Sequence, residues 1–181
     1  MDALEALTRR VSVPVLSGPD IADEQIETMI AAALRAADHA WLRPSRYLVI
    51  RGEALGRLGD VFAATESAVA DEARVNRLKS MPLRAPLIVV AITTIVEHPK
   101  VPEVEQLMST AAGVQNMLNA AWAMGLGAVW RTGDLAYHPD VHKGLGLEVN
   151  EKLTGFVYVG HIAGTVKSVP ELDAHDFVKE W

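Results

Sequence analysis

Apolar positions recur every three or four residues over several stretches of the chain and run unbroken over others, and this change of period outlines the elements. Leu4 and Leu7 share one face of a short helix over Asp2–Arg10, with an acidic residue at its start. Ser17-Gly18-Pro19-Asp20 reads as a turn and helix start, after which Ile26, Met29, Ile30, Ala33 and Leu34 mark a helix to about Ala37. Tyr47–Ile50 is a short strand bounded by Pro44 and Gly52. Glu53 to about Lys79 reads as one helix, with Leu55, Leu58, Val61, Phe62 and Val69 apolar, and Pro82 and Pro86 break it. Leu87–Thr93 is a continuous β-rich run, the pattern of a strand covered on both faces. From about Pro102 a long helix carries the stripe Val104, Leu107, Met108, Ala111, Val114, Leu118, Ala121 and Trp122. Gly125 and Gly127 end it, and Ala128-Val129-Trp130 begins another strand. Pro139–Leu145 is a short helix, Leu153–His161 a fourth strand around Phe156–Gly160, and the tail from Pro170 to Trp181 is mixed.

This order predicts an α+β fold: a central mixed β-sheet sandwiched by helices, with one long central helix. No repeat or linker divides it, so residues 1–181 are expected to form a single domain. Half the residues are apolar and 22% charged, enough for a real core. A formal charge of -6 argues against nucleic acid, since no basic face would meet the phosphates. The absence of cysteine excludes disulfides, zinc–thiolate sites and thiol nucleophiles. The start, Met1-Asp2-Ala3-Leu4-Glu5, lacks the basic-then-apolar layout of a signal peptide, so the cytoplasm is the expected compartment.

Leu107–Trp130 contains no charged residue and is long enough for a membrane span, which takes roughly 20 apolar residues. Ser109, Thr110, Gln115, Asn116 and Asn119 interrupt it, and their burial in lipid would cost several kcal/mol without partners. A helix buried inside the protein, with no membrane contact, is the expectation.

Candidate chemistry gathers around arginines and one strand exit. Arg9 and Arg10 close the first helix: they either balance its negative end or offer bidentate donors to a phosphate. Arg35, Asp38 and His39 follow the second helix, where His39 is a surface histidine, a partner of Asp38 or a ligand contact. Gly125-Leu126-Gly127-Ala128-Val129-Trp130-Arg131-Thr132-Gly133 runs from helix end through a strand into a glycine-containing loop. No Gly-x-Gly-x-x-Gly lies in a phosphate-binding context, which argues against a Rossmann dinucleotide site. His138 and His142 are four apart but lack a third ligand nearby, so no metal site is expected.

The paired arginines, the Asp38-His39 loop and Trp130-Arg131-Thr132-Gly133, in this order and over nearly the whole chain, resemble the nitroreductase family of FMN-dependent oxidoreductases. The likeness is to a compact bacterial branch with an Asp-His loop and a Trp-Arg-Ser or Trp-Arg-Thr loop. There are departures: Val11-Ser12 follows the arginines where the family has Arg-x-Ser, and Ala37, Trp41 and Ser45 replace the family's proline, asparagine and tryptophan. The resemblance implies FMN held by Arg9, Arg10, Ser12, Arg35, His39, Trp130, Arg131 and Thr132, with Lys167 as a further phosphate contact. It places a backbone N–H of Thr132 or Gly133 at flavin N5, and NAD(P)H near Ala120, Ala121, Trp122, Ala123, Met124 and Gly125. No side chain need be catalytic, because the chemistry is that of the flavin. The family's features also imply a homodimer with two FMN sites built from both chains. NAD(P)H would reduce FMN in a ping-pong cycle, with a nitro compound, quinone or enone as acceptor. Two other readings remain: dehalogenation, dehydrogenation or flavin breakdown on a dedicated substrate, and a flavin-binding protein with negligible turnover.

Overall fold

Leu87–Thr94 forms strand β3, and every residue from Leu87 to Thr93 is buried because β3 has a strand on either side and helices on both faces. The computed structural model describes residues 1–66 and 71–181, so the expected helical position Val69 lies outside the described residues. β2 (Ser45–Arg51) pairs with one edge of β3, and β5 (Glu151–Ile162) with the other. β4 (Gly127–Arg131) lies on the far side of β5, and a two-residue β1 (Leu16–Ser17) joins the end of β5 at Ile162 and His161.

Every strand pairing among the described residues is antiparallel, where a mixed sheet was expected. The stretch expected as a single helix contains two, α3 (Glu53–Ala63) and α4 (Glu72–Ser80), the second capped by the Asp71 carboxylate on the Ala73 N–H at 3.1 Å. After them the chain re-enters beside the end of β2, so that Leu87 sits opposite Arg51 and β3 runs antiparallel. Gly59 allows the two helices to touch, since a Cβ there would lie 2.3 Å from the Lys79 carbonyl oxygen.

Period-two alternation divides the sheet's side chains between two cores. On one face Ile88, Val90, Ile92, Phe156 and Tyr158 pack with Leu55, Leu58 and Phe62 of α3 and Val141 of α6 (Pro139–Gly144). The Phe62 and Phe156 rings meet edge to face at 5.2 Å. On the other face Leu87, Val89, Ala91, Val157 and Val159 pack with α2 (Asp23–Ala33) and the long α5 (Glu103–Ala123). α1 (Ala3–Arg9) is capped by Asp2, which accepts the Glu5 N–H at 2.8 Å.

The polar residues that interrupt α5 are used inside the protein. Ser109 donates to the Ala37 carbonyl at 2.8 Å and Asn116 to the Ala32 carbonyl at 3.2 Å, serving backbone acceptors at and beyond the end of α2. Thr110 pairs with Ser45 at 3.0 Å, and buried Gln106 bonds both the N–H and the carbonyl of Val96. Among the described residues no helix is long and apolar enough to cross a membrane.

Arg46 and Glu151 join β2 to the start of β5 through two 2.6 Å contacts, while Thr94 and the Glu148 N–H also donate to the Glu151 carboxylate. The Arg46 guanidinium holds that carboxyl down at about 2, against the desolvation that would raise it. A depressed carboxylate pKa contributes stability above its unfolded value near 4.5, and the contribution is lost as pH falls toward 2. Glu151→Gln should therefore cost on the order of 2 kcal/mol at neutral pH, allowing for the partly exposed arginine. The difference from the wild type should close between about pH 4.5 and 2, which denaturant titrations over that range would measure.

Candidate functional site

The exit of α5 is built to deliver β4. Met124 caps the helix, Gly125 turns with φ 78°, and Leu126 N–H closes onto the Ala121 carbonyl at 2.9 Å. Gly127 must be small, since a Cβ there would lie 2.7 Å from Leu16 and 3.1 Å from Val13. Val13 N–H bonds the Ala128 carbonyl at 3.0 Å, which ties the segment following Arg10 to β4.

Strand geometry separates the side chains of Trp130 and Arg131. Trp130 packs on the α2–α5 core, and its indole N–H donates to the Thr154 carbonyl at 3.2 Å. Arg131 lies on the opposite face, its guanidinium 5.7 Å from the centre of the Tyr158 ring, a cation–π contact. Burial raises the Tyr158 hydroxyl above its ordinary value, opposed by the charges of Arg131 and Arg84. Thr132 and Gly133 are exposed and line a cavity of about 610 Å³ with Arg74 and Arg77 of α4, Asp134 and His138.

The two N-terminal arginines differ. Arg9 is exposed, whereas Arg10 is half-buried and its Nη1 is shielded, with no hydrogen-bond partner among the described residues. Arg131 Nε and the Trp122 indole nitrogen are likewise buried without a partner. A buried charged donor left unbonded costs about 1–3 kcal/mol or more, and an anionic or carbonyl-bearing ligand would remove that cost. These orphaned donors fit a phosphorylated cofactor. Ser12 and Lys167 are exposed, and of the stretch from Ala120 to Gly125 only Ala121 is fully buried.

Arg35 and His39 lie elsewhere in the chain. Arg35 lines a cavity of about 480 Å³ with Asp38, Trp41, Arg43, Ser45 and Ser109, and His39 a neighbouring one with Glu105. Among the described residues, neither shares one with the Thr132 cavity. His39 Nδ1 is 2.6 Å from Glu105 Oε2, so the histidine pairs with α5 and not with Asp38, whose carboxylate accepts the Arg43 N–H at 2.7 Å. Ala40, Trp41 and Arg43 all have left-handed backbone (φ 58°, 55° and 49°). Such positions cost about 1–2 kcal/mol each for residues with a side chain, and they are held here from both sides by α5 and the Asp38 bond.

His138 accepts the Asp140 N–H at 3.2 Å and His142 contacts the Ala136 carbonyl at 2.7 Å, so both histidines serve the local backbone. No metal-binding group of three occurs among the described residues. Sequence reading missed Arg74 and Arg77, whose spacing of three behind the Asp71 cap was the available signal for one exposed helix face. It also missed Trp41 and Arg43 beside Arg35, for which nothing in the local pattern announces a cavity.

An antiparallel sheet lies between helix layers, and the unbonded donors of Arg10 and of Arg131 at the end of β4 are of the kind an anionic group would satisfy. Residues 7–161 match the nitroreductase family, and the chain belongs to it. It is 37% identical over 161 residues to an Escherichia coli K12 protein named "Putative NAD(P)H nitroreductase YdjA", covering 88% of each chain. A solved nitroreductase-like family protein of Bacillus cereus superposes with a TM-score of 0.88 at 21% identity, over 100% of this chain and 96% of that one. A nitroreductase of Bacteroides fragilis, solved with bound FMN, gives 0.76 at 19% identity over the full length of both.

Proposed function

We propose that this protein is an FMN-dependent NAD(P)H oxidoreductase, working as a homodimer in the cytoplasm on a small organic acceptor such as a nitro compound, quinone or enone. The observation that carries the reading is the pair of buried, unbonded donors, Arg10 Nη1 and Arg131 Nε, in a member of the nitroreductase family. The name of the E. coli relative supports NAD(P)H as reductant, and the FMN in the B. fragilis structure supports the cofactor. Bound FMN would supply the redox chemistry, the transfer of two electrons from NAD(P)H to the acceptor in a ping-pong cycle.

The chain's own residues bind and tune. Arg10 neutralises phosphate charge by a directed, charge-assisted contact, with Arg9, Ser12 and Lys167 at the exposed rim. Thr132 and Gly133, beyond the end of β4, offer backbone N–H groups for N5, where a fixed donor raises electrophilicity without itself reacting. Arg131, with its unbonded Nε, would hold positive charge toward the cofactor. Arg35 and His39 complete the site from the second chain, in keeping with their separate cavities. Residues from Ala120 to Gly125 line the approach of the nicotinamide.

Anaerobic titration of the purified holoprotein with NADH and NADPH, followed by an acceptor panel, tests the reading. Bleaching of the yellow colour and its return on adding a nitroarene or quinone is the expected result. Flavin that neither nicotinamide reduces would favour a binding protein without turnover.

A further inference from the structure

β5 is irregular where it passes the end of β4. Ala91 of β3 lies opposite Gly155 but Ile92 lies opposite Leu153, so Thr154 is an extra residue, a β-bulge. The bulge is fastened on one side by Thr154 Oγ1 to Thr93 Oγ1 at 2.6 Å. On the other side its carbonyl receives the Trp130 indole N–H at 3.2 Å. Pairing of β4 with β5 stops at Arg131 opposite Phe156, one residue short of Gly155.

The indole occupies the space that a side chain at position 155 would need. A Cβ on Gly155 would lie 2.1 Å from Trp130 Nε1, 2.7 Å from its Cδ1 and 3.0 Å from the Arg131 carbonyl oxygen. Its φ of 155° is also one that residues with a side chain rarely adopt. Contacts at 2.1 and 2.7 Å cannot be absorbed by a small rotation, because the ring is packed against the α2–α5 core. The contact to the Arg131 carbonyl bears directly on the backbone entering Thr132 and Gly133.

We propose that Gly155 is a positioning residue for the flavin: by leaving the β5 bulge without a side chain it seats the Trp130 indole and thereby fixes the Arg131-Thr132-Gly133 backbone that faces the cofactor. The inference rests on the reading of that loop given above. Trp130 then acts through its anchor on Thr154, its only ring donor being spent there. Arg131 and the N–H groups beyond it touch the cofactor.

The test compares Gly155→Ala and Trp130→Phe holoproteins with wild type by FMN dissociation constant and by the midpoint potential of the bound flavin. Trp130→Phe keeps a ring in the seat but removes its hydrogen bond, so it carries the test if Gly155→Ala does not fold. Each variant is expected to bind FMN roughly tenfold more weakly, with the potential displaced in the same direction in both. Their effects should be non-additive in the double variant, because both act on one seat. Val89→Ala, a cavity in the central strand away from the loop, should lower the melting temperature and leave the potential unchanged. Variants that lose only thermal stability and keep wild-type affinity and potential would overturn the proposal and make Gly155 a packing glycine. A wild-type protein that binds no FMN would instead refute the functional reading on which it rests.

Discussion

Replacing Arg10 with alanine is expected to lower FMN affinity about tenfold to a hundredfold while changing the melting temperature little, since a charge-assisted contact contributes roughly 1.5–3 kcal/mol. The stability half of this prediction comes from the structure. Arg10 Nη1 is buried and makes no hydrogen bond, so the apoprotein loses no bond at that atom and sheds an unsatisfied donor. Arg9 is exposed, and Arg9→Ala should have a much smaller effect on affinity. Flavin fluorescence titration with parallel thermal melts separates the alternatives. An Arg10→Ala protein that binds FMN normally but melts well below wild type would mean that the arginine only balances the end of α1.

Dissociating the proposed dimer is expected to release the flavin, so that the two events follow one curve. Arg131 ends β4 and Thr132 follows it, while Arg35 and His39 line cavities that share no described residue with the Thr132 cavity. Every residue from Thr165 to Trp181 is exposed in one chain, including Leu172, Phe177, Val178 and Trp181, as are Val104 and Met108 of α5. Apolar surface of that extent seldom stays uncovered in a monomer, and obligate dimers commonly bury more than about 2,000 Å². Light scattering and flavin fluorescence on dilution or in mild denaturant should therefore change together. A monomer at micromolar concentration that still holds FMN tightly would contradict this assembly.

Much of the architecture was legible because its signals are local. Leu87–Thr93 is covered on both faces and reads as an unbroken apolar run, and β3 ends within one residue of that expectation. Asp2, Pro102 and the Gly125 turn mark helix ends through backbone chemistry that depends on neighbours alone. Strand direction was not legible from local spacing, nor was the start of a second helix at Glu72, which the Asp71 cap marks.

The candidate site was legible where charge and turn residues cluster, at Arg9-Arg10 and Trp130–Gly133. Sequence could not tell Arg9 from Arg10, since burial of one and exposure of the other depend on tertiary packing. Nor could it show that Trp130 and Arg131 face opposite sides of the sheet, with the indole committed to Thr154, because that partner is 24 residues away. The His39–Glu105 contact spans 66 residues and was beyond local reading for the same reason.

The central claim, that these residues form an FMN site, is tested most directly by identifying what the folded protein carries. Mass spectrometry and absorbance of the cofactor released from purified protein, after reconstitution with a mixture of FMN and FAD, should give FMN at about one per chain. Stoichiometric FAD, or no flavin retained, would contradict the account.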